Sequence, residues 1–409
     1  MKKLVYLIIF LLYSAGMNAQ LKDLVQYVNT LQGTDSNFGL SYGNTYPTTG
    51  MPYGMHMWSA QTGKNGNGFK YLYASDKIRA FSQSHQCSPW VSDYAVYSFM
   101  PMVGELVVNQ DARATKFSHA NEIAKPHYYK VTFDNGITTE MAPTTRGVHL
   151  RFSYPVTGDA YLVLDGYTAM SEINIDPEKR QISGWVNNQR FVNDSKSFRN
   201  YFVVQFDKPF EDYGTWENQK DEVFPKKVDG AGKGYGAFIK FKKGSKVQAK
   251  AASSYISAEQ ALVTLNKELG KDKKLEATKI RGQKTWNEVL NRIVVEGCTD
   301  EQMKTFYSCL FRANLFSRKF YERKDNGDPY YYSPYNGKIY DGYMYTDNGF
   351  WDTFRCLFPF LNLMYPSVNR EIQEGLVNAY KESGFFPEWA SPGHRGCMIG
   401  NNSASILVD

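Results

Sequence analysis

From about residue 24 to residue 255, apolar and polar positions alternate along the chain with a period of two. The segment YYKVTFDNGITTEMAPTTRGVHLRFSYP contains two such runs, joined by Asp134-Asn135-Gly136, a combination that favours a hairpin turn. Turn residues recur at short intervals through the later runs AYLVLDG, QISGWVNN, NYFVVQFD and GAFIKFKKG. Many short strands without helices between them predict an antiparallel β-sandwich.

After residue 256 the apolar spacing becomes that of amphipathic helices. Ser257 with Gln260, and Thr299 with Gln302, have the pattern of capping boxes at helix starts. Five helices are predicted, of which the first, third and fifth begin near Ser257, Thr299 and Ser367, the second carries Trp286, and the fourth begins at Trp351.

The change of period divides the chain into regions with different folds. We predict a multidomain β + α protein with a signal peptide at 1–19, a β-sandwich domain at 20–256, a helical linker at 257–298 and a helical domain at 299–409. The last segment, CMIGNNSASILVD, has no helix cap, and the helices after residue 298 are too few to bury one another's apolar faces. We therefore expect the chain to be truncated at its C-terminus.

The first residues have the pattern of a secretory signal peptide. Lys2 and Lys3 precede an apolar run from Leu4 to Leu12, and Ala19 fits a cleavage position. The run is too short for a stable transmembrane span, and no later stretch is apolar enough to cross a bilayer. We expect an exported protein, periplasmic or extracellular, without a membrane span.

Composition and charge exclude only a few classes of function. The formal net charge of +6 is spread along the chain, and its densest cluster, KFKKGSK, is typical of a solvated strand end, so nucleic acid is excluded as a partner. Aromatic residues make up 15% of the chain, which suits either a core or stacking on flat ligands such as sugars. The five cysteines match no zinc pattern, and those in apolar helical segments are expected to be free and buried.

Polar residues are grouped at the start of the fourth helix, in the sequence Trp351-Asp352-Thr353-Phe354-Arg355, ahead of an apolar run. One interpretation is an Asp352–Arg355 pair on the surface, one helical turn apart, beside a core tryptophan. The other is that these side chains line a cavity. Pro359 interrupts the helix just after them, and this favours the cavity.

A second group lies on AFSQSHQCSPWVSDYAVYSFMPMVGEL, which has no clean period and is predicted to be a loop. Loops that carry aromatic and charged residues on a rigid scaffold often bind ligands. Trp90, which follows Pro89, is the stronger candidate, because an exposed ring needs a reason. His85 is the weaker one, since a single histidine is more often a satisfied structural group.

Two glycine-containing segments complete the set of candidates. Residues 28–55 contain neither GxxxxGK[ST] nor GxGxxG, so nucleotide binding is rejected there. The segment GFFPEWASPGHRGCMIGNN places Glu388, Trp389, His394 and Arg395 in a turn between helices.

Seven blocks, in their order along the chain, resemble glycoside hydrolase family 92, the exo-acting α-mannosidases of Bacteroidetes. They are VNTLQGT, YPTTGMPYGM, AFSQSH, YYKVTFDNGITTEM, FYSCLFR, YTDNGFWDTFRCLFP and GFFPEWASPGHRGCMIGN, and the resemblance runs from about residue 24 to residue 409. It implies an N-terminal β-sandwich (supersandwich), linker helices and the first part of an (α/α)6 barrel. It also implies calcium-assisted hydrolysis, of α-1,2 type, that removes terminal mannose with inversion from N-glycan or yeast-mannan type glycans.

The resemblance also assigns roles to the candidate residues. Trp351 and Asp352 would bind the terminal mannose, Trp90 would face the leaving sugar, and Arg355 and His85 complete the predicted substrate-binding set. The general acid and base, and most calcium ligands, are expected beyond Asp409, because Asp347, Asp352 and Glu388 match no catalytic position of the family.

Two other interpretations stay open. The first is a non-catalytic protein that binds mannose or a related glycan. The second is a glycoside phosphorylase, which has a similar layout but would need basic residues in the barrel to bind phosphate.

Overall fold

The structure, a computed structural model, describes residues 21–64, 68–86, 88–167, 170–187, 198–218 and 220–408. The predicted signal peptide at 1–19, Cys87 and Asp409 lie outside the described residues.

The predicted antiparallel sandwich is confirmed. Among the described residues, one sheet has eight strands, in the spatial order Thr49–Gly50, Met57–Gln61, Ala80–Ser84, Ser98–Val103, Ala160–Asp165, Tyr235–Phe241, Asp212–Glu217 and Glu222–Pro225. The other has ten, in the order Asp229–Lys233, Met170–Asp176, Gln181–Asn187, Asn200–Phe206, Lys246–Ser254, Gly147–Ser153, Thr138–Pro143, Tyr128–Phe133, Thr115–Lys125 and Lys77–Ile78.

One core lies between the two sheets and fixes their register. Trp58 and Leu162 of the eight-stranded sheet and Leu150 and Val204 of the ten-stranded sheet belong to the same buried cluster. A shift of one residue along any strand would turn these side chains to solvent, so the alternating pattern specifies the pairing.

The helical part is also confirmed, and several of its boundaries follow the predicted caps. In chain order the described α-helices are α1 (Ala258–Leu269), α2 (Leu275–Leu290), α3 (Asp300–Ala313), α4 (Phe350–Thr353), α5 (Leu357–Met364), α6 (Pro366–Ser383) and α7 (Asn402–Ile406). The capping box of Thr299 and Gln302 is complete. At Ser257 only half of the box forms, because the Ser257 N–H donates instead to the Ser254 hydroxyl at 3.2 Å and the Gln260 side-chain oxygen accepts from the Tyr330 hydroxyl at 2.6 Å.

The predicted fourth helix is two helices, α4 and α5, separated by residues 354–356. The interruption that Pro359 predicts is therefore present. Pro359 is the third residue of α5, where its missing N–H would have had no partner inside the helix. The break lies upstream of Pro359, at residues 354–356, and this break ends the polar segment one turn after Asp352.

The segment between α3 and α4 contains short strands that were not predicted. They are Arg318–Lys319, Glu322–Arg323, Pro329–Tyr332, Ile339–Asp341, Tyr345–Thr346 and Asn348–Gly349, and the last of these pairs with Trp389–Ala390. Strands of two to four residues are too short to show an alternating pattern. In this segment, Phe320 and Tyr331 belong to the same buried cluster as Tyr255 at the end of the sandwich, and this second core joins the two parts of the chain.

The segment from Ala80 to Leu106 is a loop only in its middle, since Ala80–Ser84 and Ser98–Val103 are strands. The four described cysteines are free, but Cys309 and Cys356, in the helical segments, are exposed, so the expectation of buried thiols there is wrong. Within the described part of the chain, no helix is both long and apolar enough to span a bilayer.

Candidate active site

A cavity of about 740 Å³ lies where loops of the sandwich meet the C-terminal segment. Trp90 and Asn44 line it from the sandwich side. Asp347, Asp352 and Arg395 line it from the segment after α3. Such a combination of aromatic rings with a few carboxylates and a guanidinium is typical of sites for small polar ligands.

One wall of this cavity is built around Gly349, the residue that precedes α4. A Cβ atom at this position would lie 2.5 Å from two ring carbons of Trp389, so only glycine lets the ring pack against the backbone. The hydroxyl of Thr353 donates to the carbonyl of Gly349 at 2.9 Å and closes the single turn of α4. Asp352 projects from this turn, is exposed and enters no ion pair among the described residues.

Trp351 and Arg355 contact each other instead of the cavity. The Arg355 guanidinium carbon lies 5.5 Å from the centre of the Trp351 ring and 4.8 Å from that of Phe354. Neither residue is part of the cavity lining that the described residues form, and Trp351 is 38% exposed. The alternative of an Asp352–Arg355 ion pair is not realised, because Arg355 turns towards the aromatic rings.

Trp90 is held at the cavity by contacts from two directions. It lies in a 3-10 helix, Pro89–Val91, is 58% exposed, and donates from Nε1 to the hydroxyl of Ser41 at 3.0 Å. Arg395 donates from Nη1 to the carbonyl of Val91 at 2.8 Å. This bond ties the Trp90 loop to the turn after α6.

His85 lies behind the cavity and does not line it, which is a correction to its predicted role in substrate binding. The side chain is fully buried, and its Nδ1 lies 2.8 Å from the carbonyl oxygen of Tyr94. Since a carbonyl only accepts, Nδ1 carries the proton, and Nε2 accepts from Nδ1 of His56 at 2.7 Å. His85 therefore positions the loop that holds Tyr94, as the simpler interpretation of a single histidine expects.

Asp347 was named from the sequence only as a nearby carboxylate, yet two side chains hold it in place at the cavity. Its Oδ2 accepts hydrogen bonds from Arg318 Nε and, at 2.7 Å, from the Tyr94 hydroxyl. Its backbone is in the left-handed region at φ 59°, and an Asp-Asn-Gly sequence is the only local signal for it. Burial raises the pKa of Asp347 to about 7, although the Arg318 guanidinium favours the charged form.

The two buried histidines give a test of this arrangement. Burial lowers the pKa of His85 to about 4 and that of His56 well below its ordinary value. Both rings should therefore remain neutral at pH 5.5, which ring-nitrogen chemical shifts of the labelled protein can measure, with the urea-unfolded protein as control. Acting alone, the pair would destabilise the fold as the pH falls from about 6.5 towards 4, because only the unfolded state takes up those protons. Titration of either ring near pH 6.5 in the native protein would contradict the buried pair.

Clusters of acidic, histidine or cysteine side chains are the usual sign of a metal site. No group of three or more His, Cys, Asp or Glu side chains within the described residues lies close enough together to hold an ion. Calcium also takes backbone and amide oxygens as ligands, so the ion that the resemblance implies stays an expectation.

Comparisons with known proteins agree with the sequence blocks. The sequence model of the glycosyl hydrolase family 92 N-terminal domain matches residues 27–254, and that of the family 92 catalytic domain matches residues 260–409. A family GH92 inverting mannosidase from Bacteroides thetaiotaomicron is 47% identical, with a TM-score of 0.91, over 95% of this chain and 52% of that chain.

Two more distant relatives extend the comparison. A GH92 α-mannosidase from the same organism, solved with mannoimidazole, is 23% identical with a TM-score of 0.82, over 94% of this chain and 52% of that one, which shows a shared fold. An uncharacterized secreted glycosidase from Arthroderma benhamiae is 22% identical over 334 residues, 72% of this chain and 41% of the relative. The chain thus spans about half the length of these relatives or less. With both family models matching most of its length, the chain belongs to glycosyl hydrolase family 92.

Proposed function

We propose that the protein is an exo-acting α-mannosidase that hydrolyses terminal mannose from glycans with inversion, with a preference for α-1,2 linkages. The observation that carries the proposal is the cavity in which Asp352 and Trp90 occur together. Support comes from family membership and from the 47% identity to a protein described as an inverting mannosidase. The test is release of free mannose from α-mannosides by the full-length gene product.

In this proposal Asp352 binds hydroxyl groups of the terminal mannose. Its carboxylate is exposed at the cavity, and a carboxylate can accept hydrogen bonds from two neighbouring hydroxyls. Trp389, packed on Gly349 beside it, offers an apolar surface to the sugar ring. Trp90 would then contact the sugar on the leaving side.

The general acid and base are proposed to lie outside the described residues. Inversion needs two carboxyl groups about 6.5–9.5 Å apart, one to protonate the leaving oxygen and one to activate water. Asp347 and Asp352 are the carboxylates of the described lining, and Oδ2 of Asp347 is already engaged by Arg318 and Tyr94. A carboxylate fixed in this way orients neighbours and ligands better than it exchanges protons with a mobile water.

Calcium remains a proposal that rests on the family resemblance alone. Most of its ligands are expected outside the described residues, so no step is derived through the ion.

A second candidate function, a non-catalytic glycan-binding protein, is favoured by the same shortage of free carboxylates in the described cavity. The two candidates differ in outcome, since a binding protein would retain mannosides without releasing mannose. In both cases we propose that the protein is exported, to the periplasm or the cell exterior, and acts on mannose-containing glycans. The secreted glycosidase among its relatives supports this location.

The role of Trp90 can be tested with two substrates that share a terminal mannose. In Trp90→Ala, kcat/KM for a mannobiose should fall about tenfold more than kcat/KM for a mannoside with a small synthetic leaving group, because only the former stacks a sugar on the ring. The control is Ile280→Ala, which removes a similarly exposed apolar side chain (66%) from α2. Equal losses on both substrates would mean that Trp90 only packs the loop.

A further inference from the structure

Four aromatic side chains, Phe38, Tyr42, Phe69 and Trp90, form a cluster next to the cavity, here called the aromatic platform. Phe69 lies 5.5 Å from Trp90 and 5.1 Å from Tyr42, between ring centres, and Phe38 lies 5.9 Å from Trp90. All these pairs are edge-to-face. Phe38 is 59% exposed, so these rings do not form a closed core. An exposed group of rings of this kind commonly marks a binding surface.

The platform is continuous with the cavity. Trp90 belongs to both, and Asn44, at the end of the 3-10 segment Phe38–Asn44, also lines the cavity. Ser41 in the same segment accepts the hydrogen bond from Trp90 Nε1. A ligand that leaves the cavity past Trp90 would therefore meet the rings of Phe38 and Phe69 next.

The backbone of this segment is strained. Ser41, Tyr42 and Asn44 are non-glycine residues in the left-handed region, with φ of 52°, 46° and 50°. Between them, Gly43 approaches the carbonyl of Gly33 so closely that a Cβ would lie 1.9 Å from its oxygen. Strain of this kind persists where surrounding contacts enforce it, and it is concentrated at binding sites.

We propose that the aromatic platform binds the second and later sugar residues on the leaving side of a mannose chain. The inference rests on the proposed function and deepens it, because it makes the protein selective for chains longer than a disaccharide. Pyranose rings present apolar C–H faces, which stack on aromatic rings. The sequence of the segment, FGLSYGN, has no charged residue, which suits a neutral glycan better than an anionic ligand.

The experiment measures chain-length preference in the full-length gene product. The kcat/KM values for mannotriose and mannobiose, of the linkage that the wild-type protein cleaves best, give a ratio that cancels differences in the amount of folded protein. In the wild-type protein this ratio should exceed one, and in Phe38→Ala it should fall about three- to tenfold. Phe38→Tyr keeps the ring and should keep the ratio.

Phe224→Ala is the matched control. It removes a partly buried ring from Glu222–Pro225, the strand at the opposite edge of the eight-stranded sheet from Thr49–Gly50, and should leave the ratio unchanged. An unchanged ratio in Phe38→Ala, or a lower melting temperature without a change of ratio, would overturn the proposal and indicate that other polypeptide covers the rings.

Failure of the proposed function can be distinguished from failure of the aromatic platform. If the wild-type protein releases no mannose from any α-mannoside, the proposed function fails by itself. The same variants are then compared by calorimetric titration with mannotriose and mannose. A three- to tenfold loss of the affinity ratio in Phe38→Ala would still support the platform, and no loss would overturn it.

Discussion

Replacing Asp352 by alanine in the full-length gene product should lower kcat/KM for α-mannosides by about 10³-fold, which corresponds to roughly 4 kcal/mol. The reason is geometric. Asp352 is exposed at the cavity on a turn that Thr353 and Gly349 hold in place, and its carboxylate has no ion-pair partner among the described residues. Its loss would leave hydroxyls of the bound sugar without their acceptor.

Steady-state kinetics with wild-type and variant protein measure this effect. Asp352→Asn keeps the shape but loses an acceptor and the charge, so it should also be strongly impaired. Asp325→Ala, which removes an 86% exposed carboxylate that is not part of the cavity lining, is the control and should behave like the wild type. Ordinary turnover by Asp352→Ala would remove Asp352 from the substrate site. A matching loss of thermal stability would instead assign it to the fold.

The features that could be predicted from the sequence are those that leave a local pattern. The hairpin of Tyr128–Phe133 and Thr138–Pro143 follows from alternation and an Asp-Asn-Gly turn, and the start of α3 follows from Thr299 and Gln302. Both depend on residues close together in the chain.

The hydrogen bonds that Tyr94 and Arg318 donate to Asp347 leave no such local pattern in the sequence. Tyr94 is 253 residues away from Asp347, and Arg318 lies on a two-residue strand that no periodicity could reveal. Only the folded chain brings these three groups together, because the junction of the sandwich and the C-terminal segment sets their positions.

For a related reason, only some of the predicted substrate-binding residues line the cavity. Trp90 and Asp352 each stand out locally, one as a ring in an irregular loop and one as a carboxylate before an apolar run, and both line the cavity. Trp351 and Arg355 were grouped with Asp352 by helical spacing, which holds only inside a continuous helix. The break at residues 354–356 ends that spacing and lets Arg355 cover Trp351.

The last prediction concerns catalysis by residues 20–409 expressed by themselves. This protein should release no mannose above background, with or without calcium. Each proton-transfer group is worth about 10²–10⁴ in rate, and in the proposed mechanism the described cavity supplies neither. Asp352 is assigned to sugar hydroxyls, and Asp347 is held by Arg318 and Tyr94.

A measurement of mannose binding is the control for a negative result in the mannose-release assay. The same preparation should be folded by circular dichroism, and mannose should perturb the fluorescence of the cavity tryptophans, Trp90 and Trp389, weakly but saturably. Binding without turnover supports an incomplete catalytic set. Turnover at the rate of ordinary glycosidases would contradict it, and the first suspects would then be Asp347 and Asp352. Burial already raises the pKa of Asp347 to about 7, the range in which a general acid works at neutral pH.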